Sequence, residues 1–118
     1  MKIDSTYNVE LIAQPGAVLS DTEVERIIDR TMDELIHLGF ENAVISGSVD
    51  RRTFELFIPW EGPTFLEIVQ RIDSAVRSAF HAAGVATPEW PGDQSPVRME
   101  RREVTFKDPD IDEHLTPV

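Results

Sequence analysis

The sequence contains the same local pattern twice: a strand, a capped amphipathic helix, a glycine and a second strand. The first copy covers residues 7–49 and the second covers residues 53–106. Helices with one apolar stripe and strands with one apolar face are stable only when they pack against each other. The repeat therefore predicts a single α+β domain built from two similar halves.

Alternating apolar and polar residues predict four strands. The four segments are residues 6–14, 42–50, 53–58 and 97–107. In the last of them the apolar phase changes between Met99 and Val104, which predicts a β-bulge near residues 101–102. We expect Pro59 to end the third strand and residues 85–96 to form a loop.

Both predicted helices carry start and stop signals. Ser20 and Thr64 each stand three residues before a glutamate, which is the capping-box pattern of a helix N-terminus. For the second helix, Gly62 as the N-cap with Pro63 at the first helical position is the alternative. The expected C-terminal stops are Gly39 and Gly84.

The element order βαββαβ, with right-handed crossovers, is typical of a ferredoxin-like α+β sandwich. Such a fold has an antiparallel four-stranded sheet in the order 4-1-3-2, with both helices on one face. We predict that residues 1–107 form this single domain. Residues 108–118 are predicted to be an acidic flexible tail.

Composition makes several classes of partner and cofactor improbable. The net charge of −11 repels phosphate backbones, so we expect no nucleic-acid partner. No apolar run approaches the length of a membrane span or a signal peptide, so we expect no membrane association and a cytoplasmic location. The chain has no cysteine, which excludes disulfides, thiolate metal sites and cysteine nucleophiles.

No motif in the sequence indicates catalysis. It contains no glycine-rich phosphate loop, nucleophile elbow or paired-histidine zinc pattern. His37 and His81 fall in the last turns of the predicted helices, where they complement the helix dipole. We therefore predict no catalytic residue, no cofactor and no metal. An enzyme using Arg98, His81 or Glu55 is an alternative reading.

Three arginines define a possible anion site. In the 4-1-3-2 order, Arg51 and Arg52 before the third strand lie at the same end of the sheet as Arg98. A small anion would bind there beside the start of the first helix. Solvated arginines paired with nearby glutamates are the alternative interpretation.

The sheet surface left uncovered by the helices is the predicted interaction surface. Residues 43–49, expected at one edge of the sheet, include no charged side chain, and an uncharged exposed edge favours pairing with another strand. The residues expected to take part are Ile12, Val44, Ser46, Ser48, Phe57 and Trp90. We predict a non-enzymatic interaction module whose partner is a second copy, as a homodimer, or another protein. In the alternative, the loop with Trp90 covers the open face.

Residues 9–19, a strand running into Pro15-Gly16, resemble the opening of an ACT regulatory domain. Residues 38–42 fall where such domains pass from the first helix to the second strand. The resemblance implies side-by-side pairing and binding of a small molecule, typically an amino acid, near Gly16 and Asn42. Small-ligand sensing is thus the alternative function. An acidic decoy that mimics nucleic acid is a further one.

Overall fold

Two helices and one five-stranded sheet make up the protein. The computed structural model describes residues 1–87 and 96–109. The elements are β1 (Lys2–Ala13), α1 (Asp21–His37), β2 (Val44–Ser48), β3 (Thr53–Glu61), α2 (Phe65–Ala82), β4 (Val85–Ala86) and β5 (Val97–Lys107). The predicted α+β class is therefore confirmed, and the sheet order is β2-β3-β1-β5-β4.

The predicted four-stranded sheet in the order 4-1-3-2 is not matched, because the sheet has a fifth strand. Val85 and Ala86, which were expected to begin a loop, form β4 and pair in parallel with Val97 and Arg98 of β5. Both β4 residues are buried. A strand of two residues is too short to show an alternating pattern, so only the packing of its side chains reveals it.

The local helix signals act as predicted. The side chain of Ser20 accepts a hydrogen bond from the Glu23 backbone N–H at 3.2 Å. Thr64 caps α2 in the same way, with Glu67 as the donor at 3.2 Å, so Gly62 is not the N-cap. Gly39, with φ +100°, ends α1 in the left-handed conformation that glycine favours.

The core lies between the helices and one face of the sheet. Alternate residues of β1 are buried, and they join residues of both helices in a single apolar cluster. The largest fully buried side chains include Tyr7, Phe40 and Phe80. The opposite sheet face, which carries the even-numbered residues of β1, is only half-buried. Both helices therefore cover the same face, and no element within residues 1–87 and 96–109 covers the other, which is called the open face.

The predicted β-bulge is present in β5. Val9 lies opposite Arg101 and Asn8 lies opposite Glu103, so Arg102 is an extra residue in the ladder. The bulge changes which side chains of β5 face the helices. It places Arg101 on the helix side, where its Nη1 lies 3.2 Å from the Asp73 carboxylate of α2.

Candidate functional site

The outermost strand β2 is the least protected edge in the described part of the chain. It is the end of the sheet order, and β3 is its neighbour there. None of the five residues Val44–Ser48 is charged. The side chain of Val44 is 56% exposed, which is unusual for a valine in a strand. The backbone groups along its outer side are therefore available to a further strand.

A glycine fixes how closely β2 lies against β3. Gly47 stands opposite Phe54 in the ladder. A Cβ atom added at Gly47 would lie 2.4 Å from the carbonyl oxygen of Thr53 and 2.7 Å from the Cα of Phe54. Only glycine fits there without a shift of the backbone, and the Phe54 ring occupies the space that a side chain would need.

The other β2 side chains continue the open face. Val44 lies opposite Phe57, and Ser46 lies opposite Glu55. Phe57 in turn faces Thr6 of β1. The exposed Val44 and the half-buried Phe57 therefore form a small apolar area at the sheet edge.

Ile12, which was also predicted for the interaction surface, lies opposite Arg98 of β5. The strand order places β1 and β3 between β5 and the edge strand β2. Val44, by contrast, faces Phe57, which faces Thr6 near the start of β1. Ile12 is therefore separate from the apolar area of Val44 and Phe57. Trp90 lies outside the described residues.

A shallow depression of about 580 Å³ adjoins β2 on the open face. Its rim contains hydroxyl groups, two arginines and one glutamate. The lining residues are Asn8, Val9, Ser46, Gly47, Ser48, Arg51, Thr53, Phe54, Glu55 and Arg102. The guanidinium of Arg102 forms an ion pair with Glu10 of β1. Of the arginines predicted to bind an anion, Arg51 is the one that reaches this depression.

Arg52 has a structural role instead. Its guanidinium donates to the Asp21 carboxylate and to the Leu19 carbonyl, both at 2.6 Å. Its own carbonyl accepts a hydrogen bond from the Leu11 N–H at 2.8 Å. These bonds tie the turn between β2 and β3 to the start of α1 and to β1. Because its donors are used in this way, Arg52 does not join Arg51 in a common anion site.

Arg98 is likewise engaged elsewhere. It lies on β5 and forms an ion pair with Glu100 at 3.1 Å. The residues that line the depression beside β2 do not include it. The structure therefore does not bring Arg51, Arg52 and Arg98 into one site.

Gly16 and Asn42 lie at opposite ends of the molecule. Gly16 belongs to the turn after β1, which is closed by the Ala17 N–H donating to the Gln14 carbonyl at 2.9 Å. Asn42 lines a second depression together with Lys2 at the other end of β1. The length of β1 separates these ends by about 35 Å. One copy of the chain therefore does not form a ligand site from both residues.

Trp60 is a surface feature that the sequence interpretation missed. It lies in β3, because the strand continues through Pro59 to Glu61. The Trp60 ring packs on Phe40 with centroids 4.3 Å apart, and the Arg71 guanidinium lies 5.9 Å from both rings. The alternation of Phe54, Leu56 and Ile58 already extends to Trp60 in the sequence. Pro59 is tolerated because β2 pairs with β3 only as far as Phe57.

His37 and His81 lie in the last turns of α1 and α2, where the sequence placed them. His37 is exposed at the end of α1. His81 Nε2 lies 3.2 Å from the buried Thr87 hydroxyl, so the imidazole links the end of α2 to the residue after β4. No group of three or more potential ligands occurs within residues 1–87 and 96–109. Neither α1 nor α2 combines the length and apolar character that crossing a membrane requires.

The comparisons with known proteins identified no relative of this chain. No protein-family model, no curated protein and no solved structure matches the chain.

Proposed function

We propose that this protein is a non-enzymatic interaction module that associates with a second copy through β2. The observation that supports the proposal is the exposed, uncharged edge strand Val44–Ser48. Edge strands of soluble proteins usually carry charges, prolines or covering segments that prevent pairing. β2 carries no charge and no proline, and it presents Val44 beside Phe57.

The neutral strand β2 is the edge at which two acidic copies repel each other least. Each chain has a net charge of −11, so two copies repel each other over most approaches. Pairing along β2 brings no acidic side chain of that strand against another. Backbone hydrogen bonds between two edge strands are independent of side-chain charge and supply the attraction.

Small-ligand sensing stays a prediction. The structure offers it less support, because Gly16 and Asn42 lie at opposite ends of β1.

The test compares two variants, each with one valine replaced by aspartate. Val44→Asp places a charge on β2, whereas Val18→Asp places the same charge on the loop before α1, where the side chain is 90% exposed. We expect the wild type to form dimers in light-scattering and sedimentation experiments at micromolar concentrations. Val44→Asp should raise the dimer dissociation constant at least about tenfold, because pairing would strip water from a carboxylate on each copy, and Val18→Asp should leave it unchanged.

A wild type that is monomeric at high micromolar concentration would overturn the proposal. So would equal weakening by the two variants, since that result would reflect net charge and not the β2 edge.

A further inference from the structure

Charged residues lie just beyond both ends of β2. Glu41 stands three residues before the strand, while Asp50 and Arg51 follow it. Glu41 and Arg51 are exposed, and neither forms an ion pair within the described part of the chain. These two residues are equally far along the chain from Ser46, the centre of the neutral strand.

We propose that two copies pair antiparallel through β2 about a twofold axis at Ser46, with Glu41 of each copy beside Arg51 of the other. This inference rests on the proposed self-association and specifies its register. Two identical surfaces that close into a dimer do so about a twofold axis. In such a pair Val44 lies opposite Ser48 of the second copy, and Ile45 lies opposite Gly47.

Centring the axis on Ser46 pairs all five residues of β2, whereas a shift in either direction leaves residues unpaired at both ends. Directly opposite residues in an antiparallel pair project to the same face of the sheet. Ser46, like Val44 and Ser48, belongs to the open face because it stands opposite Glu55. The open faces of the two copies therefore become continuous, and their helices lie on the same side of the combined sheet.

Glu41 and Arg51 lie in the turns just beyond the two ends of β2, so they are not partners in the strand ladder itself. Antiparallel pairing brings the end of β2 before Val44 in one copy to the end after Ser48 in the other, twice in each dimer. The axis at Ser46 sets these ends level, and opposite charges placed near each other across an interface favour one register over its alternatives.

The pairing also has room on the helix side of the sheet. Ile45 is half-buried there, and the residue that faces it in the second copy is Gly47. A glycine opposite a branched side chain avoids crowding at both symmetric positions. On the open face, Val44 of each copy lies opposite Ser48 of the other, whose small side chain leaves room for it.

Cysteine cross-linking tests the register directly, because the chain contains no natural cysteine. In the proposed dimer the two Cα atoms at position 46 are about 4.5–5.5 Å apart, which permits a disulfide. The two atoms at position 48 are about 13 Å apart, which does not. Mild oxidation should therefore convert Ser46→Cys, and not the matched variant Ser48→Cys, into a covalent dimer.

Charge exchange provides an independent measurement. Glu41→Arg and Arg51→Glu should each raise the dissociation constant at least about threefold, because each creates two like-charged pairs. The double exchange should restore wild-type affinity to within about twofold, since the pairs are re-formed in reverse.

A dimer that cross-links through Ser48→Cys, or whose double exchange is no tighter than the single variants, would overturn the register and leave self-association through β2 intact. A monomeric wild type, or equal effects of Val44→Asp and Val18→Asp, would overturn the proposed function itself. The two failures are therefore distinguishable.

Discussion

The two edges of the sheet, β2 at one end and β5 with β4 at the other, are stabilised in different ways. On one side, β2 has no charged residue and depends on the close contact of Gly47 with Phe54. On the other side, β5 is rich in charges and is covered at its start by the buried pair Val85–Ala86. The charges of β5 mostly bind residues of the same chain, as Arg101 does with Asp73. The contrast shows that ion pairs stabilise the β5 edge of this protein, whereas close packing at Gly47 stabilises the β2 edge.

The largest effect should come from filling the space at Gly47. We expect Gly47→Val to destabilise the fold by about 2 kcal/mol, because its Cβ would meet the Thr53 carbonyl and the Phe54 backbone. The side chain of the neighbouring Ser46 points to the open face. Ser46→Val should therefore change the free energy of unfolding by less than about 0.5 kcal/mol. Urea denaturation measures both. Similar unfolding of the two variants would remove the special role of Gly47 in holding β2.

At the β5 edge, Asp73 contacts both Arg101 and Tyr7, and its hydrogen bond with Tyr7 is the buried part of this polar cluster. Tyr7 is fully buried, and its hydroxyl donates to Asp73 at 3.0 Å. Tyr7→Phe should reduce stability by about 1.5 kcal/mol, since the carboxylate loses a hydrogen bond in a partly buried setting. Arg98→Ala removes an exposed ion pair with Glu100 on the same strand and should cost less than about 0.5 kcal/mol.

Chemical denaturation of these two variants therefore compares the inward-facing Tyr7–Asp73 hydrogen bond with an outward-facing ion pair of β5. If Arg98→Ala lowered the free energy of unfolding more than Tyr7→Phe did, the inward-facing polar cluster around Asp73 would not be what stabilises the β5 edge.

The smallest effect is expected from a charge pair on α1, away from both edges. A hydrogen bond from Arg26 lowers the pKa of Glu23, and the Arg26 Nε lies 3.1 Å from its carboxylate. The folded state therefore binds this proton less readily than the unfolded state. The pair stabilises the fold above the ordinary pKa of 4.5 and loses that contribution as pH falls through the lowered value.

Because both side chains are largely exposed, Glu23→Gln should cost about 0.3 kcal/mol at neutral pH. The difference from wild type should shrink as pH falls below 4.5 and vanish below the lowered pKa, where the carboxylate is protonated in both states. Unfolding measured over a pH series from neutral to acid checks this. A difference that persisted in acid would mean that Glu23 acts through packing and not through its charge.

Features set by a few neighbouring residues were predictable. The caps at Ser20 and Thr64 and the stop at Gly39 depend on backbone groups within one helical turn, so the sequence contains all their partners. The phase change in β5 was predictable for the same reason, since the two sides of a strand can be read directly along the chain.

Features that depend on distant pairing were not predictable in this way. β4 exists because two buried residues meet the start of β5, and β3 passes Pro59 because β2 has already ended beside it. The separation of Gly16 from Asn42 likewise follows from the length of β1 once it is paired on both sides.

By itself the sequence determined the α+β class, the start of α1, the glycine stops of both helices, the bulge and the neutral character of residues 43–49. Each of these is a property of local periodicity, capping or composition. Only the tertiary structure decided which arginines remain available. Arg52 is occupied by the Asp21 carboxylate and the Leu19 carbonyl, which lie far from it in the chain. Arg98 pairs with Glu100 of its own strand, while Arg51 stays exposed after β2. The reason is physical: a charge becomes structural or available for binding according to what folding places beside it, and that arrangement is set by contacts far apart in the chain.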